Sequence, residues 1–411
     1  MSYLLKATIL GFSILLFITC DTVTEPLQKS KRQVTAQEEK LISSDNRFGL
    51  KLFKEIDKLN TDKNLFISPL SVSMALGMVL NGAVGDTREA MESALELQGL
   101  TQEQINQSYQ SLIQLLRNLD PKVVFQIANS IWYRHDLEFE QDFINLNRKY
   151  FDASVTGLNF TDPNSVNIIN NWVDQNTNGK IKEIIDQLSP LDIMVLVNAI
   201  YFKGTWTYQF KKELTREDDF HLPGGSTVKC RMMHQQNKFN YQSNDEFQAV
   251  DLPYGDGDFR MTIILPKPNI EVNTLLQTLD DEKLGSVLQG FSGKEGTLEF
   301  PAFKLEYRIG LNDVLRSLGM GIAFDPNKAD FTKLYNGPLN AYISSVLHKT
   351  WVEVNEEGTE AAAVTSVTVG VTSIGGDSPF YMHCNRPFIF FIRENHSSSI
   401  LFAGKIMNPE A

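Results

Sequence analysis

The segment Trp351–Pro379, with the sequence WVEVNEEGTEAAAVTSVTVGVTSIGGDSP, decides how the rest of this chain is interpreted. It begins with alternating apolar and polar residues, which is typical of a strand. From Thr359 to Ile374 it contains no Lys, Arg, Pro or aromatic residue, and it is rich in β-branched side chains. Such a segment pairs readily with a sheet and is an aggregation hazard when it is exposed. We therefore expect it to have a specific use.

Two interpretations of this segment compete. It is either a core strand followed by a turn at Gly375-Gly376, or an exposed loop that can also become a strand. Alternate positions carry small or β-branched side chains, which a period of two places on one face: Thr359, Ala361, Ala363, Thr365 and Val367. Small side chains let a strand enter a packed sheet without overpacking it, and Gly358 permits a hinge ahead of them. The pattern favours the loop.

Eight consecutive residues resemble the proximal hinge of the reactive-centre loop of the serpin family: Glu356, Glu357, Gly358, Thr359, Glu360, Ala361, Ala362 and Ala363. Three other segments resemble serpin motifs: Ser68-Pro69-Leu70-Ser71 before an apolar helix, Gly82-Ala83-Val84-Gly85-Asp86-Thr87, and Asn198-Ala199-Ile200-Tyr201-Phe202-Lys203-Gly204-Thr205-Trp206. The resemblance extends roughly from Asn46 to Pro409. It implies that the loop can insert as a new strand into the central sheet.

The fold class that this resemblance implies is α+β, a serpin fold with three β-sheets, about eight or nine helices and an exposed reactive-centre loop at about 356–379. No Pro-, Gly- or Ser-rich linker divides the chain. The expected organisation is therefore a single domain at 44–411, preceded by a signal peptide at 1–20 and a polar tether at 21–43. A monomer is expected.

The first twenty residues, MSYLLKATILGFSILLFITC, place one Lys before a mainly apolar run. This pattern is typical of a signal peptide and is too short for a membrane-spanning helix in the mature protein. The residues Phe17-Ile18-Thr19-Cys20 resemble a bacterial lipobox, in which Cys20 would carry the lipid. The alternative is ordinary secretion with Cys20 incidental. Both predict an extracytoplasmic protein, either secreted or held at a membrane only through an N-terminal lipid.

The composition excludes several partners. The chain of 411 residues has a net charge of −12, which argues against nucleic acid because that partner needs a basic surface. The predicted helix at Thr101–Leu119 is rich in Gln and Asn, in a region where some serpins carry a heparin site, so heparin activation is not expected. Cys20, Cys230 and Cys384 are too few and too widely spaced for a disulfide framework, and we expect Cys230 and Cys384 to be buried as small apolar residues.

No catalytic motif was found in the sequence. It contains neither an HExxH zinc motif, nor a GxxxxGK phosphate loop, nor a G-x-S-x-G nucleophile elbow. Gly376-Asp377-Ser378 imitates the nucleophile segment of serine proteases, but Pro379 follows where that family has Gly. We therefore expect no enzyme, no catalytic residue, no metal site and no cofactor.

The resemblance also implies two sites in the central sheet. Ser68, Ser71, Asn198 and His348 correspond to the serpin "shutter", a polar cluster beneath the strands that must part. Hydroxyl, amide and imidazole groups can form new hydrogen bonds when the sheet opens, whereas an unpaired buried group costs about 1–3 kcal/mol. Trp206, with Glu356, corresponds to the "breach", where insertion begins.

The resemblance further implies a position for the cleaved bond. Serpins usually place it fourteen residues after the hinge glycine, which predicts cleavage between Thr372 and Ser373. A count back from Asn385-Arg386-Pro387-Phe388 ends later, near Gly376, and we give the hinge count priority because the sheet sets the inserted length. Secondary specificity, or cleavage by another protease, would fall to Val371 and Ile374.

The implied function is that of a suicide substrate for a serine protease. Its loop has no Lys or Arg between Gly358 and Pro379, so the expected target is elastase-like rather than trypsin-like, with subtilisin-like or papain-like enzymes as second choices. Attack on the loop forms an acyl-enzyme, and insertion of the cleaved loop then traps it. The native state must be held by a kinetic barrier. The alternative is a non-inhibitory serpin that acts as a carrier or binding protein.

Overall fold

The computed structural model describes residues 34–359 and 378–410. Nine α-helices lie within these residues: α1 (Ala36–Leu59), α2 (Pro69–Leu80), α3 (Gly85–Ala94), α4 (Gln102–Asn118), α5 (Gln141–Phe151), α6 (Asn164–Asn176), α7 (Val272–Thr278), α8 (Asp281–Gln289) and α9 (Asn312–Leu315). Short 3-10 or π segments add Lys212–Leu214, Arg316–Met320 and Gly321–Phe324. A search of the described helices found none with the length and apolarity to cross a membrane.

Fifteen strands lie within the same residues: β1 (Leu65–Ile67), β2 (Val123–Arg134), β3 (Ser154–Leu158), β4 (Met194–Thr205), β5 (Arg216–His221), β6 (Thr227–Ser243), β7 (Phe247–Tyr254), β8 (Phe259–Pro266), β9 (Ser292–Pro301), β10 (Phe303–Gly310), β11 (Leu347–Asn355), β12 (Gly358–Thr359), β13 (Phe380–His383), β14 (Phe388–Glu394) and β15 (Ile400–Ile406). The six-stranded sheet has the order β10-β11-β12-β4-β2-β3. The nine-stranded sheet has the order β1-β15-β14-β8-β7-β6-β9-β13, with β5 on β6.

The α+β prediction is confirmed, and two of the three expected sheets are joined by hydrogen bonds. The joint is β6, a strand of 17 residues. Its first part pairs with β5, its middle with β9 and its last four residues with β7. A strand of this length belongs to two sheet portions at once, so the described residues form two hydrogen-bonded sheets.

The first helix begins earlier than expected. Thr35 and Glu38 form a capping box, in which each side chain accepts a hydrogen bond from the other residue's backbone N–H. This arrangement satisfies donors that a helix start otherwise leaves unpaired. Residues 36–43 of the predicted tether are therefore helical, and Leu41 and Ile42 are buried in the core.

Helix α2 is the centre of the core. Ser68 caps it by accepting a hydrogen bond from the Ser71 backbone N–H, and Pro69 occupies the first turn, where a missing N–H costs little. Nearly every residue of α2 is buried, and the helix packs against β4 of one sheet and β15 of the other. The described cysteines, Cys230 and Cys384, are free and buried, as predicted.

The sequence pattern was wrong about one strand. The sequence pattern of Leu298–Leu305 predicts a single strand, but β9 ends at Pro301 and β10 begins at Phe303 in the other sheet. Apolar residues run through both strands, so the pattern does not show where the chain changes sheets. Ala302 makes this change by donating its backbone N–H to the Arg231 carbonyl oxygen.

Candidate functional site

A two-residue strand, β12, lies between β11 and β4 at one end of the six-stranded sheet. Thr359 is opposite Val354 of β11 and Gly204 of β4, and both ladders are antiparallel. Within residues 34–359 and 378–410, β4 and β11 form no ladder with each other, so β12 joins them in the sheet. Two of the predicted hinge residues, Gly358 and Thr359, are therefore already part of the sheet.

Glycine at position 358 is required by its backbone and by its surroundings. Gly358 has a φ of +153°, a conformation that L side chains rarely adopt. A Cβ atom there would lie 2.1 Å from the carbonyl oxygen of Gly204. Gly204 is confined in turn, because a Cβ on it would lie 2.9 Å from the Tyr254 ring. The close approach of these backbones is what allows β12 to enter the sheet.

The predicted breach residue, Trp206, lies against the turn that precedes β12. Its ring stacks on Tyr254, with ring centroids 4.3 Å apart and an interplanar angle of 15°. Its indole N–H donates a hydrogen bond to the carbonyl oxygen of Asn355 at 2.9 Å, and its backbone N–H donates to Glu357. The Tyr254 hydroxyl lies 2.6 Å from the Thr359 hydroxyl. Trp206 and Tyr254 therefore form a rigid base for the turn and for the first inserted side chain.

Two ion pairs hold the same turn from outside. Glu356, with a side chain that is 4 % exposed, pairs with Arg231 at 2.5 Å, and Glu357 pairs with Lys212. The Asn355 side chain accepts hydrogen bonds from the backbone N–H groups of Glu357 and Gly358. Both basic partners are largely exposed, so solvent screening keeps the contribution of each pair small. The turn is fixed mainly by its backbone hydrogen bonds.

The four predicted shutter residues meet where β4 and β11 pass the start of α2. The Ser68 backbone N–H donates to Nε2 of His348 on β11 at 3.0 Å. The Ser71 hydroxyl donates to Oδ1 of Asn198 on β4. Helix α2 thus holds each strand by a separate polar contact, and neither contact ties one strand to the other.

The polar cluster continues beyond the predicted residues. The Ser68 hydroxyl donates to the carbonyl oxygen of Leu401 at 2.7 Å. The Asn198 amide donates to Asn129, directly opposite on β2, and Asn129 donates to the carbonyl oxygen of Phe151 at 2.7 Å. Each of these amides and hydroxyls therefore has a partner, which avoids the cost of an unpaired polar group.

His348 is neutral in this site. Burial lowers the pKa of its imidazole to about 4, because a charged ring would lose its hydration. Its Nε2 accepts the Ser68 N–H and therefore carries no proton. A cavity of about 30 Å³ adjoins it between β4, β11 and α2, lined by residues that include Ser71, Leu196, Asn198 and Leu347. The cavity is large enough to hold a water molecule beside the polar cluster.

Several predicted site residues lie outside the described residues: Cys20, Glu360, Ala361, Ala362, Ala363, Val371, Thr372, Ser373 and Ile374. The described ones form two groups, with Trp206, Glu356, Gly358 and Thr359 at the breach and with Ser68, Ser71, Asn198 and His348 at the shutter.

Two residues that contact the predicted site residues were missed in the sequence. Tyr254 lies in the turn sequence Pro253-Tyr254-Gly255-Asp256-Gly257, which indicates a turn and not a partner for the hinge. Asn129 interrupts strand β2 as Asn198 interrupts β4, and this matching pair of amides in apolar strands was the available signal.

Residues 43–409 match the family model described as serpin (serine protease inhibitor). The chain belongs to the serpin family. It is 33% identical over 383 residues to the leukocyte elastase inhibitor of the horse, and this alignment covers 90% of this chain and 100% of that protein. It resembles the native crystal structure of the thermophilic serpin tengpin, with a TM-score of 0.83, 34% identity and coverage of 92% of this chain and 96% of that one.

A serpin that is named for binding a ligand matches this chain as well in structure as tengpin does. Human thyroxine-binding globulin, solved as a complex, also has a TM-score of 0.83, with 27% identity over 92% of this chain and 100% of that chain. The predicted family and fold are thus confirmed. Whether this serpin is an inhibitor or a carrier must be argued from its loop and from the sheet beside it, because the fold alone does not decide function.

Proposed function

We propose that this serpin is a suicide-substrate inhibitor of serine proteases. The observation that carries the proposal is the position of Gly358 and Thr359 between β4 and β11. Insertion of a cleaved loop needs a slot whose flanking strands are not already paired, and a hinge that enters it in a defined register. Both features are present at the end of the sheet where the loop begins.

The register of β12 predicts where each further loop residue would be in the inserted state. Each step along the loop moves one residue back along β4 and β11, because both ladders are antiparallel. Ala361 would then lie between Phe202 and Val352. Thr365 would lie level with both Asn198 and His348, where its hydroxyl could replace hydrogen bonds lost as the sheet opens.

The same register separates the faces of the inserted strand. Thr359 faces the core, so every second residue after it faces the core as well. These positions are Ala361, Ala363, Thr365 and Val367, which are small or β-branched. Glu360, the one charged residue from 359 to 376, would face away from the core. The alternation therefore fits insertion without burial of a charge.

The length of the slot also fits the predicted bond. In this register, position 366 of the inserted loop would pair with Leu347, the first residue of β11. Position 369 would pair with Met194, the first residue of β4. Cleavage after Thr372 would carry a covalently attached protease past the far end of the sheet, roughly 45 Å along it at about 3.3 Å per residue. Deacylation would then fail because the protease is distorted there.

An elastase-like enzyme is the proposed target. Thr372 is small and β-branched, and such a side chain fits a shallow apolar primary pocket. A relative of this chain, in the horse, is named a leukocyte elastase inhibitor. Subtilisin-like and papain-like proteases remain the second choices. The rival proposal is a carrier or binding protein, as thyroxine-binding globulin is by its name.

The deciding experiment is incubation of the mature chain with elastase, followed by denaturing electrophoresis after boiling. We expect a band at the summed mass of both proteins and a released peptide that begins at Ser373, identified by mass spectrometry. The cleaved serpin should also resist heat better than the intact one. Cleavage that yields neither the complex nor the gain in heat resistance would contradict inhibition and favour the carrier.

We further propose that the chain is extracytoplasmic. This rests on residues 1–20, which lie outside the described part of the chain. Expression with radiolabelled palmitate separates the two routes. Label in the wild type and its loss on Cys20→Ala would support a lipid anchor, whereas unlabelled protein in the medium would support ordinary secretion. Retention of the uncleaved chain in the cytoplasm would refute both.

A further inference from the structure

Three strands of the nine-stranded sheet bring metal-ligating side chains to one point. Asp218 lies on β5, Glu299 on β9 and His383 on β13, and one ligand atom of each lies within 4.8 Å of the others. Glu299 and His383 are direct partners in the parallel ladder between β9 and β13, so their side chains share one face of the sheet. The function proposed above does not use this cluster.

The imidazole nitrogen of His383 has the position of a metal ligand. Its Nε2 atom is buried and has no hydrogen-bond partner among the described residues. It nevertheless lies 3.3 Å from Oδ2 of Asp218 and 3.6 Å from Oε2 of Glu299. Ligands at about 2.0–2.1 Å from a tetrahedral Zn²⁺ are about 3.3 Å apart, so these spacings are those of a zinc coordination shell.

We propose that Asp218, Glu299 and His383 bind a divalent transition-metal ion of the Zn²⁺ type. Neutral imidazole and two carboxylates suit Zn²⁺ better than Mg²⁺ or Ca²⁺, which prefer shells of oxygen ligands. Three protein ligands leave one coordination position for water. The two carboxylate charges balance the charge of the ion.

One cation already competes for these carboxylates. Arg216 lies 2.5 Å from Oε1 of Glu299 and 3.6 Å from Oδ2 of Asp218. Its side chain is 55 % exposed, so it can withdraw into solvent at little cost. His234 and Tyr381 also contact Glu299, which orients its carboxylate toward the cluster. The metal would take the place of the Arg216 guanidinium.

The ion would fasten β13 to the sheet. This strand begins three residues after the end of the undescribed loop segment 360–377 and pairs with β9 over four residues, Phe380–His383. An ion bound by His383, by Glu299 of β9 and by Asp218 of β5 would link β13 to both strands. This link would add a restraint that the short ladder alone does not provide. The site would therefore hold β13 in its ladder more firmly.

The test uses isothermal titration calorimetry of the full mature chain with Zn²⁺ alone. We expect one saturable site, and binding weaker by more than about tenfold in His383→Gln, with no change in the control His221→Gln on the exposed end of β5. Arg216→Gln should bind more tightly, because the competing cation is removed. A misfolded variant cannot produce that gain.

Hydrogen exchange provides the second readout. Zn²⁺ should slow exchange of the Phe380–His383 amides in the wild type and in His221→Gln, but not in His383→Gln. The absence of saturable Zn²⁺ binding would overturn the proposal, as would equal affinity in the wild type and His383→Gln. Mg²⁺ binding with the same affinity as Zn²⁺ would overturn the assignment of the metal.

Discussion

The hydroxyl groups of Tyr254 and Thr359 lie 2.6 Å apart in a region where both side chains are buried. Tyr254 is the core residue on which Trp206 stacks, and Thr359 is the first side chain of the loop to enter the sheet. The site therefore accepts a side chain of threonine size that carries a hydroxyl. This relationship connects the fold to the loop.

Replacing Thr359 tests this entrance directly. Thr359→Arg places a guanidinium where the native side chain is 2 % exposed, and burial of an unpaired charge costs several kcal/mol. The arginine should therefore keep residue 359 out of the sheet in the intact chain, and insertion, which must bury it, should be slower than deacylation. We expect elastase to cleave the variant without a boiling-resistant complex, whereas the matched Thr359→Ser should still form one. Unchanged complex formation by Thr359→Arg would argue against loop insertion.

The contribution of the hydrogen bond can be measured with a double-mutant cycle. Tyr254→Phe leaves the Thr359 hydroxyl buried without its partner, so we expect the free energy of unfolding to fall by about 1–3 kcal/mol. The double variant Tyr254→Phe/Thr359→Val removes both hydroxyls and should lose less than the sum of the single variants. Urea unfolding measures all four proteins. Additive losses would show that the two hydroxyls do not interact.

The shutter should make stability depend on pH. The pKa of His348 is about 4 in the folded state, against an ordinary value of 6.5. Between these values the unfolded chain binds a proton that the folded chain does not. The His348 contribution to the free energy of unfolding is therefore complete above pH 6.5, and it falls by about 3 kcal/mol as the pH is lowered to 4.

A second buried group opposes this trend. Burial raises the pKa of Asp45 from 3.8 to about 7, so the folded chain binds its proton first and gains stability as the pH falls from 7 to about 4. The wild-type profile should then be shallow. In Asp45→Asn, urea unfolding should show the loss of stability at acid pH, and in Asp45→Asn/His348→Gln that loss should be smaller by the His348 contribution. A fall of equal size in both variants would exclude His348 as its source.

The buried ion pair of Lys405 and Asp57 should be important for stability. Their side chains are 0 % and 1 % exposed, and the Lys405 ammonium also donates to Thr61 and Asn273. Lys405→Met leaves a buried carboxylate without its cation, so we expect a loss of about 3–5 kcal/mol. Lys405→Met/Asp57→Asn should recover part of this loss in urea unfolding.

The control for this pair is a lysine at the surface. Lys328 lies 3.8 Å from Asp325 and its side chain is 73 % exposed. Lys328→Met should change the free energy of unfolding by no more than about 0.5 kcal/mol. A similar loss in Lys328→Met and Lys405→Met would mean that burial of the pair does not decide its effect.

Much of the fold was accessible from the sequence. The apolar sequence of α2, the apolar run of β4 and the small-residue alternation after Gly358 each depend on neighbours in the chain, so a local pattern is sufficient to predict them. The serpin motifs extended this prediction to the shutter and the breach. The pattern was least informative at two boundaries. Near Ala302, apolar residues continue across the change of sheets. At the start of α1, the capping box rather than the apolar pattern sets the first residue of the helix.

The sequence alone determined that the chain is a serpin, with a loop of small side chains suited to insertion. Only the tertiary structure decided which residues surround Gly358 and Thr359. Tyr254 is 105 residues from Thr359, and Asp218 is brought to His383 across separate strands. Strand register and sheet order set such distances, and both arise from the packing of the whole core rather than from residues that are adjacent in the chain.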